Sequence, residues 1–102
     1  MRPALACAAL LALLPVAAFG QAAGQWRDSA HIWRSLCRYC HETSIAPALF
    51  GLALPDTVTI TTVRTGHNGM PAFTSTQVND AELRALAQWM AAQPAPASGP
   101  QP

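Results

Sequence analysis

The residues best suited to chemistry in this chain form one short cluster, Cys37-Arg38-Tyr39-Cys40-His41. On one helical turn the two thiols of this C-x-x-C-H pattern face the same side, and a histidine follows them directly. Thiols so placed can add to the two vinyl groups of a haem, and the imidazole of His41 can then bind the iron from one face. The pattern therefore predicts a haem attached through Cys37 and Cys40, with His41 as an axial ligand.

Three other kinds of site use cysteines at this spacing. A thioredoxin-like redox pair would need a βαβ context, which the sequence does not show. A disulfide between residues three apart is possible but leaves His41 unexplained. A zinc site would want four ligands, usually from a second such pair. Haem attachment is the interpretation that uses Cys37, Cys40 and His41 together.

A haem iron bound by one histidine needs a second axial ligand or keeps an open position. The sequence offers four candidates, which are Met70, His67, Met90 and His31. Met90 and His31 fall on predicted helices, where the first is expected in the core and the second at the surface. Met70 lies in a glycine-containing loop stiffened by Pro71, so it can approach the opposite face of the haem. We expect Met70 to be the ligand, with His67 as the alternative.

Composition narrows the class of protein. The chain has 102 residues, a formal net charge of +1, 51% hydrophobic and 11% charged residues, and no lysine. These charges are too few for the basic stripe of a nucleic-acid-binding protein or for a carboxylate-rich calcium site. A chain this short builds only a small core unaided, so a cofactor at its centre would contribute to stability.

The N-terminal residues have the composition of an export signal. A short basic start is followed by an apolar run of roughly 15 residues and then by small residues, which is typical of a cleaved secretory signal. A transmembrane helix would need about 20 apolar residues. We expect residues 1–20 to be removed, with a cut after residue 22 or 23 as the alternative, and no stable membrane insertion afterwards. Residues 21–93 would form one domain, and the proline-rich residues 94–102 a disordered tail.

Two segments have helical apolar periodicity. In residues 25–40, Trp26, Ala30, Trp33 and Cys37 recur on one helical face. The second helix follows Asn79, where Glu82 three residues later completes a capping pattern. Its apolar face consists of Leu83, Leu86, Ala87 and Met90.

Residues 56–64 give conflicting signals. Threonine, valine and isoleucine dominate the segment, and these residues favour a strand. The pair Pro55-Asp56 is a good helix start, and Ile60 with Val63 has helical spacing.

The chain resembles the class I c-type cytochromes. The resemblance rests on the C-x-x-C-H cluster and on the segment Gly69-Met70-Pro71-Ala72-Phe73, and it spans roughly residues 25–92. It implies an all-α fold in which three to four helices wrap around one covalently bound haem. Members have an aromatic residue where this chain has Trp33 and another on the last helix, here Trp89, while Ser29 replaces their usual glycine. The carbonyl of Pro47 is implied to accept a hydrogen bond from the haem histidine.

A narrower resemblance points to the cytochrome subunits of p-cresol methylhydroxylase-type flavocytochromes. It rests on residues 45–55 together with the segment Val63-Arg64-Thr-Gly-His-Asn-Gly-Met-Pro-Ala-Phe73. In that group a short helix follows the Leu-Pro pair, which implies that residues 56–64 are helical. It also implies a periplasmic electron carrier, not itself an enzyme, that takes single electrons from an FAD-containing dehydrogenase oxidising a 4-alkylphenol or related phenol. A downstream acceptor would be a small copper protein or another cytochrome.

Two further expectations concern the cofactor and the class of protein. We expect Arg64 to pair with a haem propionate, because a buried carboxylate needs a partner, with a solvated arginine as the alternative. A free-standing electron carrier to a terminal oxidase or reductase would use the same ligands. A haem sensor or enzyme in which Met70 dissociates is the remaining alternative. The low net charge favours docking by shape over long-range electrostatic steering.

Overall fold

The computed structural model describes residues 24–97 together with residues 4 and 12. Apart from those two positions, the expected signal segment lies outside the described residues. The described chain contains α1 (Ser29–Ile32), a π-helical turn (Trp33–Cys37), α2 (Arg38–His41), α3 (Asp56–Thr65) and α4 (Asp80–Ala91). Within these residues there is no β-strand, so the expected all-α class is confirmed. No described helix is long and apolar enough to cross a membrane.

The first helical stretch covers residues 29–41 and has three consecutive parts. The side chain of Asp28 caps it, accepting a hydrogen bond from the backbone N–H of His31 at 2.7 Å. In the π-helical turn the N–H of Arg38 bonds to the carbonyl of Trp33, five residues earlier, instead of four. The sequence predicts an unbroken helix over residues 25–40. In the structure the helix begins four residues later, at Ser29. Trp26 lies before it and donates its indole N–H to the carbonyl of Gln77 at 2.7 Å.

Helix α3 forms in the segment for which the sequence gives conflicting strand and helix signals. Residues 56–65 are helical, as the narrower resemblance implies. Thr59 and Val63, four residues apart, are its buried positions, and the helix packs against α4. Burial of this face outweighs the modest helix penalty of threonine and valine.

Helix α4 begins at the predicted capping box. The side chain of Asn79 accepts the N–H of Glu82 at 2.8 Å, and a carboxylate oxygen of Glu82 accepts the N–H of Asn79 at 3.0 Å. The predicted apolar face is buried and consists of Leu83, Leu86, Ala87 and Met90.

Aromatic rings form the contact where the first helical stretch crosses α4. The ring centroids of Trp33 and Trp89 lie 6.2 Å apart, and Phe50 inserts beside both, 4.4 Å from Trp33 and 5.6 Å from Trp89. Helix α1, which starts at Ser29, packs against α4. This crossing fixes the helix that carries the two thiols.

The chain after α4 packs back onto the molecule. The N–H of Gly51 donates to the carbonyl of Gln93 at 3.0 Å, and Ala95 lies directly beside Gly51. Pro94 and Pro96 line a small cavity of about 200 Å³ next to Trp33. Residues 94–96 thus lie against other described residues, and the disorder expected from residue 94 onward stays a prediction. Residues 98–102 lie outside the described residues.

Candidate haem site

A cavity of about 710 Å³ lies between the first helical stretch, α3 and α4, and the loops that connect them. Five of the six site residues expected from the sequence line it together, and these are Cys37, Cys40, His41, Pro47 and Met70. The rest of the wall is largely apolar and includes Ile32, Leu36, Leu49, Leu54, Val63, Phe73, Leu86 and Met90. The structure thus gathers residues separated by more than thirty positions into one apolar pocket.

The two thiols are partly buried, and neither is in a disulfide in the described part of the chain. Burial raises the pKa of the Cys37 thiol to about 11, so it stays protonated at neutral pH. A reactive redox cysteine needs its pKa lowered, so this environment disfavours the thioredoxin-like interpretation. Among the described residues, no group of three His, Cys, Asp or Glu side chains could hold a metal ion.

The orientation of the His41 ring is fixed by one hydrogen bond. Its Nδ1 atom lies 2.7 Å from the carbonyl oxygen of Pro47. A carbonyl oxygen can only accept, so Nδ1 carries a proton and Nε2 is the ring nitrogen left for a metal ion. The loop that presents this carbonyl is held in turn, because the N–H of Ala46 donates to the carbonyl of Cys40 at 2.9 Å. The ring of His41 is therefore oriented so that Nε2, not Nδ1, is available as a metal ligand.

Met70 ends a tight four-residue turn that begins at His67. The N–H of His67 donates to the carbonyl of Met70 at 3.1 Å, and the N–H of Met70 donates to the carbonyl of His67 at 2.9 Å. Gly66 precedes the turn with φ of 72°, and a Cβ atom there would lie 2.8 Å from the carbonyl oxygen of Met70. Glycine at residue 66 therefore permits both the left-handed backbone and this close approach.

The other candidate ligands divide into two groups. His67 and Met90 also line the cavity. Met90 does so from the core face of α4, where it is 6% exposed, whereas His67 is exposed and its Nε2 atom lies 3.2 Å from the side-chain nitrogen of Asn68. His31 does not line the cavity; its ring packs on Trp26 with centroids 5.1 Å apart.

The comparisons with known proteins point to one family. A family model described as cytochrome c oxidase, cbb3-type, subunit III matches residues 24–90. Over 90 residues the chain is 36% identical to the cytochrome c subunit of 4-cresol dehydrogenase (hydroxylating) from Pseudomonas putida, covering 86% of this chain and 80% of that protein. The chain belongs to this cytochrome c family.

Solved structures agree with the family. A structure of p-cresol methylhydroxylase with substrate bound matches this cytochrome with a TM-score of 0.66 and 31% identity, over 71% of this chain and all of that one. A second p-cresol methylhydroxylase structure gives 0.65 and 30%, over 70% of this chain and again all of the other. The expected class I cytochrome c fold is confirmed, and so is the narrower resemblance.

Membership of a cytochrome c family implies haem c, and the cavity of this cytochrome fits such a group. Two thiols, an oriented imidazole and a thioether line one apolar pocket. Within the described part of the chain, Thr59 Oγ1 and Trp33 Nε1 are buried without a hydrogen-bond partner, and both residues line the pocket. Buried donors normally have an acceptor, and haem carboxylates would supply acceptors. Thr59 is not among the site residues expected from the sequence, although its spacing to Val63 on one helical face could have indicated it.

Arg64 is the one expected site residue that the structure places elsewhere. It does not line the cavity. Its guanidinium donates to the carbonyls of Val78 at 2.9 Å and Phe73 at 3.3 Å, and it pairs with Asp80 at 2.6 Å. Among the described residues the guanidinium already has these three partners, and the expected pairing with a haem propionate stays a prediction.

Proposed function

We propose that this cytochrome carries one haem c, attached through Cys37 and Cys40, and serves as the electron-transfer subunit of a flavocytochrome. The observation that carries the proposal is that both thiols, His41 and Met70 line one apolar cavity. The identity to the cytochrome c subunit of 4-cresol dehydrogenase, over most of both chains, supports the choice of complex.

His41 and Met70 are the proposed axial ligands. A bound haem supplies an iron centre that accepts and releases one electron at a time. Ligation by histidine and methionine raises the reduction potential relative to other ligand sets. If His41 and Met70 both held the iron of a bound haem, no iron position would remain for a substrate, and the protein would transfer electrons without transforming a substrate.

The walls of the cavity, and the carbonyl of Pro47 that is hydrogen-bonded to His41, would tune that reduction potential. Leu49, Leu54 and Phe73 exclude water from the pocket, which favours the less charged reduced state. The carbonyl of Pro47 accepts the Nδ1 proton of His41, which would fix the orientation of the ring that presents Nε2 to the iron.

The proposed partner is a flavoprotein dehydrogenase with bound FAD that oxidises a 4-alkylphenol or a related phenol. In the described part of the chain, Tyr39 and Leu52 are large apolar side chains that are exposed and do not line the cavity. The few charges of the chain leave such apolar contacts, rather than ion pairs, to stabilise a complex. Gly69 and Ala72, exposed on either side of the Met70–Pro71 pair, are the proposed contact residues.

The proposed location is the periplasm, after removal of the N-terminal signal. Covalent haem attachment to a C-x-x-C-H pattern and the composition of residues 1–20 both support export. From there a small copper protein or another cytochrome would collect the electrons.

The test is to co-express the full chain with a candidate FAD-containing dehydrogenase, and to purify each protein through a tag on the other. We expect a stable complex whose haem becomes reduced when a 4-alkylphenol is added. A monomeric cytochrome that the flavoprotein neither binds nor reduces would contradict the subunit proposal and favour a free-standing carrier. High-spin ferrous iron that binds carbon monoxide rapidly would contradict six-coordinate ligation and favour a sensor or enzyme.

A further inference from the structure

The segment that carries Met70 is attached to the end of α3 at both of its own ends. At the start, the N–H of Gly66 donates to the carbonyl of Thr62 at 2.8 Å. At the finish, the N–H of Phe73 donates to the carbonyl of Val63 at 2.8 Å. Residues 66–73 therefore form a loop that leaves α3 and returns to it, with Met70 between the two attachments.

Arg64 reinforces the returning end of this loop. Its Nη1 atom donates to the carbonyl of Phe73 at 3.3 Å and to that of Val78 at 2.9 Å. Its Nη2 atom donates to a carboxylate oxygen of Asp80 at 2.6 Å. One guanidinium thus connects α3, the end of the Met70 loop and the first residue of α4.

We propose that Arg64 is a positioning residue for Met70: its hydrogen bonds hold residues 66–73 so that the thioether stays in the cavity. The inference rests on the proposed ligation by Met70. A thioether is a weak ligand for iron. Met70 therefore stays bound only if its release gives the loop little additional conformational freedom. Bonds at the end of the loop act on that balance without touching the ligand itself.

The three contacts of Arg64 contribute unequally. The Arg64 side chain is 23% exposed, whereas that of Asp80 is 86% exposed, so solvent screens the ion pair. The bonds to the carbonyls of Phe73 and Val78 are partly buried and are charge-assisted, which makes them the stronger contacts. Loss of the guanidinium should therefore matter more than loss of the Asp80 carboxylate.

The experiment measures displacement of Met70 from the ferric holoprotein by added imidazole. The readout is loss of the near-infrared band that arises from methionine-to-iron charge transfer. For Arg64→Gln we expect imidazole to bind about tenfold more tightly than in the wild type, which corresponds to the loss of about one charge-assisted hydrogen bond. Arg64→Lys keeps the charge but not the fork, so it should give an intermediate increase, and Asp80→Asn the smallest.

Arg84→Gln is the matched control, because it removes the same charge from an exposed position on α4 and should leave imidazole affinity unchanged. Unchanged imidazole affinity in Arg64→Gln, with a lower unfolding midpoint, would show a purely structural arginine and overturn the proposal. If Arg64→Gln does not accumulate, unchanged affinity in Arg64→Lys overturns it equally. A wild type without the band would contradict Met70 ligation instead, so failure of the proposed function is distinguishable.

Discussion

At the scale of single residues, the two proposed axial ligands are held by different means. The ring of His41 is oriented by one short hydrogen bond to the carbonyl of Pro47. Met70 has no such partner for its sulfur, and its place depends on the backbone of the turn it closes with His67. The histidine side should therefore be the more robust, and the methionine side the one that mutations open.

Replacing Met70 with alanine should lower the reduction potential and open the iron to carbon monoxide. The thioether that favours the reduced state is lost, while Cys37 and Cys40 still hold the cofactor. Redox titration and the spectrum of the reduced protein with carbon monoxide measure both effects.

Two further substitutions test the alternative ligands. Met90→Leu preserves side-chain volume on the core face of α4, and His67→Ala removes the exposed imidazole at the cavity. Both should retain the six-coordinate spectrum of the wild type. If His67→Ala opens the iron and Met70→Ala does not, then His67 is the ligand.

The sequence predicts the local part of this site far better than the non-local part. The spacing of Cys37, Cys40 and His41 is fixed by one turn of chain, so their shared orientation follows directly. The partners of Arg64 lie nine to sixteen residues away in the chain, and only the return of the loop onto α3 determines them. The same holds for Thr59, whose burial depends on where α4 packs.

At the scale of helices, α3 forms against its composition. The segment Asp56–Thr65 contains five threonines and two valines. No local pattern predicts its helix strongly; the resemblance to a family did. Burial of one face, rather than helix propensity, stabilises α3. Substitutions of better helix formers on its exposed face should therefore raise the stability of the protein.

Replacing Thr61 with alanine should stabilise the holoprotein by up to about 0.5 kcal/mol. Thr61 is exposed on α3, and alanine is the better helix former by about that amount. Thermal unfolding at matched haem content measures the change. Thr59→Ala makes the same chemical change at a buried position and should not stabilise, because it loses contacts at the cavity. A destabilised Thr61→Ala variant would show that the exposed threonines of α3 contribute something other than propensity.

Replacing Asn79 with alanine should cost about 1 kcal/mol of unfolding free energy. The substitution removes the acceptor for the N–H of Glu82 and leaves the first turn of α4 without its cap. Denaturant titration measures the loss, and Thr76→Ala, a nearby exposed substitution, should change the unfolding free energy much less. Equal stability of the two variants would mean that tertiary packing alone sets the start of α4.

The π-helical turn is the feature of the helices that apolar periodicity could not predict. Trp33 and Cys37 satisfy helical spacing whether the hydrogen bond closes over four residues or five. The wider turn begins at Trp33, whose ring packs on Phe50 and Trp89, and ends at Cys37, which lines the cavity. Such turns often occur at functional sites, and here it directly precedes the second thiol and the histidine.

At the scale of the whole molecule, the small core surrounds the cavity rather than filling the centre. Ile32, Val63, Leu86 and Met90 belong to the buried cluster and also line the pocket. Length and composition predict a core too small to stand alone, and this shared wall shows how a cofactor would complete it. Folding should therefore be coupled to haem attachment, because the same side chains would contact both the protein core and the haem.

The surface beside Met70 yields the last prediction. Gly69 is exposed, and a Cβ atom added there would have no described heavy atom within 4 Å. The chain itself therefore does not need glycine at this position, whereas a docked flavoprotein would lie there. Gly69→Asp should leave fold and haem attachment intact but weaken binding to the flavoprotein roughly tenfold or more, because an unpaired carboxylate would be buried.

Titration of the two purified proteins, followed by the rate of haem reduction, measures this binding. Ala85→Asp adds the same charge on an exposed position of α4 and should bind as the wild type does. Binding of the wild type should also depend weakly on salt, because a chain with 11% charged residues offers few ion pairs to screen. If Gly69→Asp and Ala85→Asp bind equally well, the surface beside Met70 is not the contact. A steep salt dependence would instead indicate electrostatic steering and the transient encounters of a mobile carrier.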